Sequence, residues 1–168
     1  MLRSHEDKPL KNWHLLILGV IFFVFLVVRW MLPAATPKRA APPQPEKAVV
    51  TVGSSTFPAL IANTPDLAYR GLSDRPSLGA FGGMLFVFPT TATRTFVMRN
   101  MLFPIDIVWI TDGVISDLSE MLPVEPTASE SNLRLYTGKE PVQMVLEVAS
   151  GTVRQNGWRL GDSVTVQY

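Results

Sequence analysis

The chain has 168 residues, 47% of them hydrophobic, a net charge of +1 and no cysteine. The missing cysteines exclude disulfides, zinc–thiolate sites and thiol nucleophiles, and the two histidines, His5 and His14, leave everything after residue 14 without the imidazole that Ser-His-Asp catalysis or a His-based metal site needs. From Lys47 onward nine basic residues stand against eleven acidic ones with no basic stripe, which sets nucleic-acid binding aside.

Residues 1–12 read as a polar tail. From Leu15 to Val28 every residue is apolar, and Trp30, Met31 and Leu32 extend the run past Arg29. About 20 residues over 13–32, at 1.5 Å each, match a bilayer core of about 30 Å, with Trp13 and Trp30 at the interfaces and Arg29 able to snorkel. A single transmembrane signal-anchor is therefore expected over 13–32, with a cleaved signal peptide as the alternative; small-residue cleavage sites near Ala35 and Ala41 fit poorly. His14 beside Trp13 reads as an interfacial side chain. Charge does not orient the span, because Arg3, Lys8 and Lys11 precede it while Arg29, Lys38 and Arg39 follow. Residues 33–47, with five prolines between Pro33 and Glu46, read as an extended linker.

Residues 48–168 read as one mainly β, barrel-like domain with one or two short helices. Ala48–Val52 and Thr56–Ile61 form a predicted hairpin around Gly53-Ser54-Ser55. Thr64-Pro65-Asp66 followed by Gly71 carries the cap, first-turn proline and exit glycine of a short helix. Gly83–Phe88 is a buried strand closed by Pro89, Thr95–Met98 a short one, and Ile105–Ile110 pairs with Val114–Leu122 across Asp112-Gly113, a strong hairpin signal. After a loop over 123–132, Val142–Val148 is a strand, Gly151–Asn156 a helical turn and Ser163–Gln167 the last strand. Short strands at this spacing argue for a barrel or sandwich.

Chemistry concentrates around Phe96–Asp106, where Arg99, Asn100 and Asp106 sit among large apolar residues. A buried charge must be paired or solvated, so either Asn100 and Pro104 shape a turn with Asp106 accepting backbone hydrogen bonds at its end, or these side chains build a small polar pocket with Arg99 as an anion clamp. Arg70, at the end of the short helix, is best placed to stabilise the helix's last carbonyls, with pairing to Asp106 or Glu147 as the alternative. Candidate ligand-binding residues are Arg70, Met98, Arg99, Asn100, Asp106 and Glu147. No catalytic set, metal site or cofactor is expected: Met84, Met98, Met101, Met121 and Met144 read as apolar filler rather than copper(I) ligands, and an acid–base pair of Asp106 and Glu147 has no fixed separation in the sequence.

Arg70-Gly71-Leu72, Gly83-Met84-Leu85-Phe86-Val87-Phe88, Met98-Arg99-Asn100 with Pro104-Ile105-Asp106, and Val145-Leu146-Glu147-Val148-Ala149-Ser150-Gly151 with Gly161-Asp162 together resemble the domain of unknown function 192 family, from about Val49 to the C-terminus. The chain departs in having Arg99 where the family usually has lysine and Met101 where it has threonine. The resemblance implies a small barrel-like β domain of bacteria and archaea, often behind an export or anchor segment, which places the C-terminal domain in the periplasm or outside the cell. It implies no particular activity. The expectation is a membrane-anchored, extracytoplasmic, non-enzymatic accessory or binding module. It would hold the bilayer through 13–32 and meet a protein partner at the membrane, as a subunit of a larger complex. The alternative is an exported small-ligand-binding or weakly catalytic domain with an Arg/Asn/Asp pocket.

Overall fold

The computed structural model describes residues 13–31 and 44–168. The predicted tail over 1–12 and most of the linker lie outside the described residues. The chain divides into two units, Met1–Ala41 and Pro42–Tyr168.

In the first unit, α1 spans Trp13–Met31, one residue short of the predicted segment, and the described side chains over 17–29 are all exposed. Among the described residues no helix is long and apolar enough to cross a membrane.

The second unit is mainly β. Its elements are β1 (Glu46–Val52), β2 (Ser55–Ala62), α2 (Pro65–Arg70), β3 (Gly83–Ala92), β4 (Thr95–Phe96), β5 (Ile105–Thr111), β6 (Val114–Leu122), a 3-10 turn (Glu130–Asn132), β7 (Tyr136–Thr137), β8 (Val142–Ala149), α3 (Thr152–Asn156) and β9 (Val164–Gln167). Seven strands form one sheet in the order β6-β5-β8-β3-β2-β1-β9, and β4 pairs with β7 beside it. β2 and β3 are parallel, so their connection must cross over, and α2 makes that crossing. Thr64 caps α2 by accepting a hydrogen bond from the Leu67 N–H at 3.3 Å. The sheet curls until Val114 of β6 bridges Ser163 next to β9, giving a half-barrel.

Side chains alternate across this sheet and build two cores. Val50, Ile61, Leu85, Val108, Leu146 and Val164 pack on the inner face with Val153 and Trp158. Met84, Phe86, Ile105, Ile107, Trp109 and Val145 pack on the other face, under Leu67 of α2, Met98, Met101 and Tyr136. Trp109 is fully buried, and its indole N–H donates to Ser119 Oγ at 3.0 Å.

Three boundaries in this unit differ from the sequence reading by more than one residue. β1 begins at Glu46, because Glu46 and Lys47 pair with Ile61 and Leu60 of β2 rather than belonging to the linker. β3 continues through Pro89 to Ala92. Its pairing with β8 lapses between Val87 and Ala92, so the missing proline N–H falls where no ladder bond is needed. The strand expected over Thr95–Met98 covers Thr95–Phe96 only, paired with Tyr136–Thr137, a strand the sequence does not announce.

Candidate functional site

The unusual residue of the domain is Glu147. In β8 it pairs with Met84 of β3 and Ile107 of β5, at the centre of the sheet and on the face that carries Phe86 and Trp109. Among the described residues three acids are buried: Asp106, Asp117 and Glu147. Asp117 pairs with Lys139, Nζ to Oδ1 at 3.0 Å. Asp106 accepts from the Met121 N–H at 2.8 Å and the Val153 N–H at 3.1 Å. Glu147 is 5% exposed, and its Oε2 has no hydrogen-bond partner. Burial without compensation pushes its pKa up to about 8, so the carboxyl is protonated at neutral pH.

Glu147 lies at the wall of a cavity of about 670 Å³, within the range of small-molecule sites. The cleft is bounded by the end of α2, the strands around Phe86 and Phe96, and the loop that carries Glu130. Its apolar side is an aromatic cluster: Phe96 meets Phe86 edge-on at 4.9 Å and Phe88 at 6.5 Å, and packs below on the buried Trp109 at 5.6 Å. Its polar side holds three arginines, Arg70, Arg94 and Arg99.

Each arginine is held differently. Arg99 lies over the Tyr69 ring at 4.3 Å and donates from Nη1 to the Tyr69 carbonyl at 3.3 Å. Its Nε donates to Glu130 Oε2 at 2.8 Å, and its Nη2 bonds Oε1 of the same carboxylate. This forked pair raises the Arg99 pKa and lowers that of Glu130, in both cases chiefly through the hydrogen bonds between them. Arg94 stacks over Phe88 at 4.1 Å and donates from Nη2 to the Thr90 carbonyl at 2.7 Å, while its Nε is buried with no partner. Arg70 is exposed on the last turn of α2 and has no ion-pair partner among the described residues.

Of the residues the sequence singled out, Arg70, Arg99 and Glu147 meet at this cleft. Met98 does not line it; its side chain is 1% exposed in the core beneath. Asn100 takes a left-handed conformation at φ 50°, and its carbonyl accepts from the Asp74 N–H at 2.9 Å, as a turn residue does. It borders a smaller pocket of about 110 Å³ with Glu125 and Glu130. Asp106 points to the opposite face of the sheet, so it cannot work with Glu147 as an acid–base pair, nor can it pair with Arg70 at the cleft. Its two oxygens hold the bulged residue Met121, at φ 56°, and the first turn of α3. Tyr69, Arg94 and Glu130 escaped the sequence reading, being isolated residues in polar or turn-rich stretches. Among the described residues no group of three or more metal-ligating side chains gathers.

The cleft can accept a molecule with an apolar body and a polar or anionic end. Aromatic rings, three arginines and a neutral carboxyl with an unused oxygen line it together.

Solved structures that share the fold include two from bacteria. One, from Sinorhizobium meliloti 1021 and described as a candidate transcription regulator, is 27% identical, with a TM-score of 0.65 over 75% of this chain and 98% of that one. The other, a protein of unknown function from Novosphingobium aromaticivorans DSM 12444, is 24% identical, with a TM-score of 0.62 over 80% of this chain and 94% of that one. No curated protein matches the chain. The profile of the family DUF192, described as Uncharacterized ACR, matches residues 48–166. That match runs from the first strand of the sheet to the last, and the chain belongs to the DUF192 family.

Proposed function

We propose that the domain is a non-enzymatic binding module that takes a small molecule into the Glu147 cleft. One observation carries this reading: a carboxyl at the centre of the sheet, nine-tenths buried, has an oxygen without a partner and lies beside a cavity of about 670 Å³. An unpaired buried polar group costs about 1–3 kcal/mol. A purely structural position would hold a leucine at lower cost, so the carboxyl is explained by a ligand that completes its hydrogen bonding. No imidazole or thiol borders the cleft among the described residues, and its second acid, Glu130, is ion-paired with Arg99, which favours binding over acid–base chemistry.

The same reading takes α1 as a membrane anchor that holds the domain outside the cytoplasm. The unbroken apolar run from Leu15 to Val28 and the flanking tryptophans support it. An assembly with a membrane protein partner is compatible with this arrangement.

Thermal-shift screening of a small-molecule panel against the full chain and its Glu147→Leu variant tests the cleft. At least one compound should raise the melting temperature of the parent and not of the variant. If no compound distinguishes them, the ligand-binding reading is lost. For sidedness, a single cysteine introduced at exposed Glu140 becomes the only thiol in the chain. Labelling in intact cells by a membrane-impermeant maleimide is expected; labelling only after lysis would put the domain inside.

A further inference from the structure

The local charge of the cleft is lopsided. Three arginines border it, whereas its acids are Glu130 and Glu147. Glu147 is uncharged at neutral pH, which leaves Glu130 as the one ionised carboxylate among the residues bordering the cleft. That carboxylate occupies Arg99 by a fork, the geometry in which a guanidinium receives a free carboxylate.

The two partners are unequally fixed. Arg99 is held from behind by the Tyr69 ring and carbonyl. Glu130 is 63% exposed and sits on a three-residue 3-10 turn whose N-cap, Ser129, makes no side-chain capping bond. Exposed ion pairs contribute little net stability, so Glu130 can turn to water while the guanidinium stays in place.

We infer that Arg99 is the receptor for the carboxylate of a small organic acid, that Glu130 fills this place while the cleft is empty, and that the ligand's apolar body lies against Phe86 and Phe96. This inference rests on the small-molecule reading of the cleft and adds the chemical class. The unpartnered Nε of Arg94 and Oε2 of Glu147 remain for polar groups elsewhere on the ligand. A free small acid fits better than a partner's surface side chain, because the residues that carry those two unsatisfied atoms line a cavity of about 670 Å³ rather than a flat surface.

Isothermal titration of the full chain in lipid nanodiscs tests this, with benzoate as the probe and benzamide as its neutral isostere. Benzoate should bind at least about tenfold more tightly than benzamide. Glu130→Gln should strengthen benzoate binding by roughly three- to tenfold, since it frees a site that is otherwise partly self-occupied. Arg99→Lys keeps the charge but loses the fork, and should weaken binding by about tenfold. Benzamide binding as well as benzoate would overturn the acid class while leaving a small-molecule cleft standing. Glu130→Gln failing to strengthen benzoate would overturn the exchange. Tighter binding of a short peptide with a free C-terminus, lost on amidation, would replace the small acid with a protein tail. No binding of either probe overturns the inference outright; if the Glu147-dependent thermal shifts are also absent, the cleft reading falls with it.

Discussion

Asp106 and Glu147 lie on adjacent strands, one register step apart, yet face opposite sides of the sheet. Asp106 pairs with Val148, whose side chain belongs to the inner core, and Glu147 pairs with Ile107, which belongs to the outer one. One carboxylate is fully committed to backbone N–H groups. The other has an oxygen with nothing to bind. Two acids of similar sequence context are thereby divided into a structural part and a candidate functional one.

Glu147 makes stability depend on pH. Its pKa rises from 4.5 in the open chain to about 8 in the fold, so between these values the unfolded state releases a proton that the native state keeps. Stability from this group is therefore present below about pH 4.5, falls as the pH climbs toward about 8 and levels beyond, with a total loss of a few kcal/mol. Glu147→Gln, neutral throughout, should flatten the melting temperature between pH 5 and pH 8 and melt above the parent at pH 8. A parent curve no steeper than the variant's would contradict the assignment.

Asp106→Asn should be costly. An amide turns one oxygen into a donor facing either the Met121 or the Val153 N–H, so one buried bond becomes a clash of donors. A loss of about 3–5 kcal/mol is expected, read as a drop in chemical-denaturation midpoint. In any variant that still folds, probe binding at Arg99 should be unchanged.

Gly83→Ala tests the tight packing of β3 on β8. A Cβ at this position would stand 2.6 Å from the Glu147 carbonyl oxygen, and that oxygen is backbone in the centre of the sheet. A destabilisation of about 1–3 kcal/mol is expected from overpacking. Unchanged melting would mean that the two strands can separate locally without cost.

Removal of residues 1–41 separates the two units at the boundary between them. If α1 is an anchor, the full chain should stay with the membrane pellet after alkaline carbonate extraction while the shortened chain is released. Recovery of both in the supernatant would rule out the anchor.

Local signals in the sequence were sufficient for most elements. The Thr64-Pro65 cap starts α2, Asp112-Gly113 turns β5 into β6, and apolar runs mark β3, β5 and β8. β7 is two residues long and exists because Tyr136 and Thr137 meet β4, so no pattern within the loop announces it. The site was half legible. Arg70, Arg99 and Glu147 were named, but Asp106 was grouped with them because an acid within an apolar strand looks the same from either side. Its face depends on pairing register between strands about 40 residues apart in sequence, a long-range property. Glu130 and Arg94 gain meaning only through Arg99 and Phe88, which lie far from Glu130 and close to Arg94 respectively.

The bridge between Val114 and Ser163 governs how this domain can meet another protein. One outer strand, β9, is four residues long, and the other, β6, is fastened at its start by the bonds from Ile115 and Gly161 and broken by register shifts farther on. Neither presents a long regular row of free N–H and C=O groups, so a visiting chain finds little backbone on which to continue the sheet. The same feature guards against edge-to-edge stacking when many copies crowd together. A protein partner would thus be selected by side chains and loops, whose identities can change without disturbing the sheet beneath.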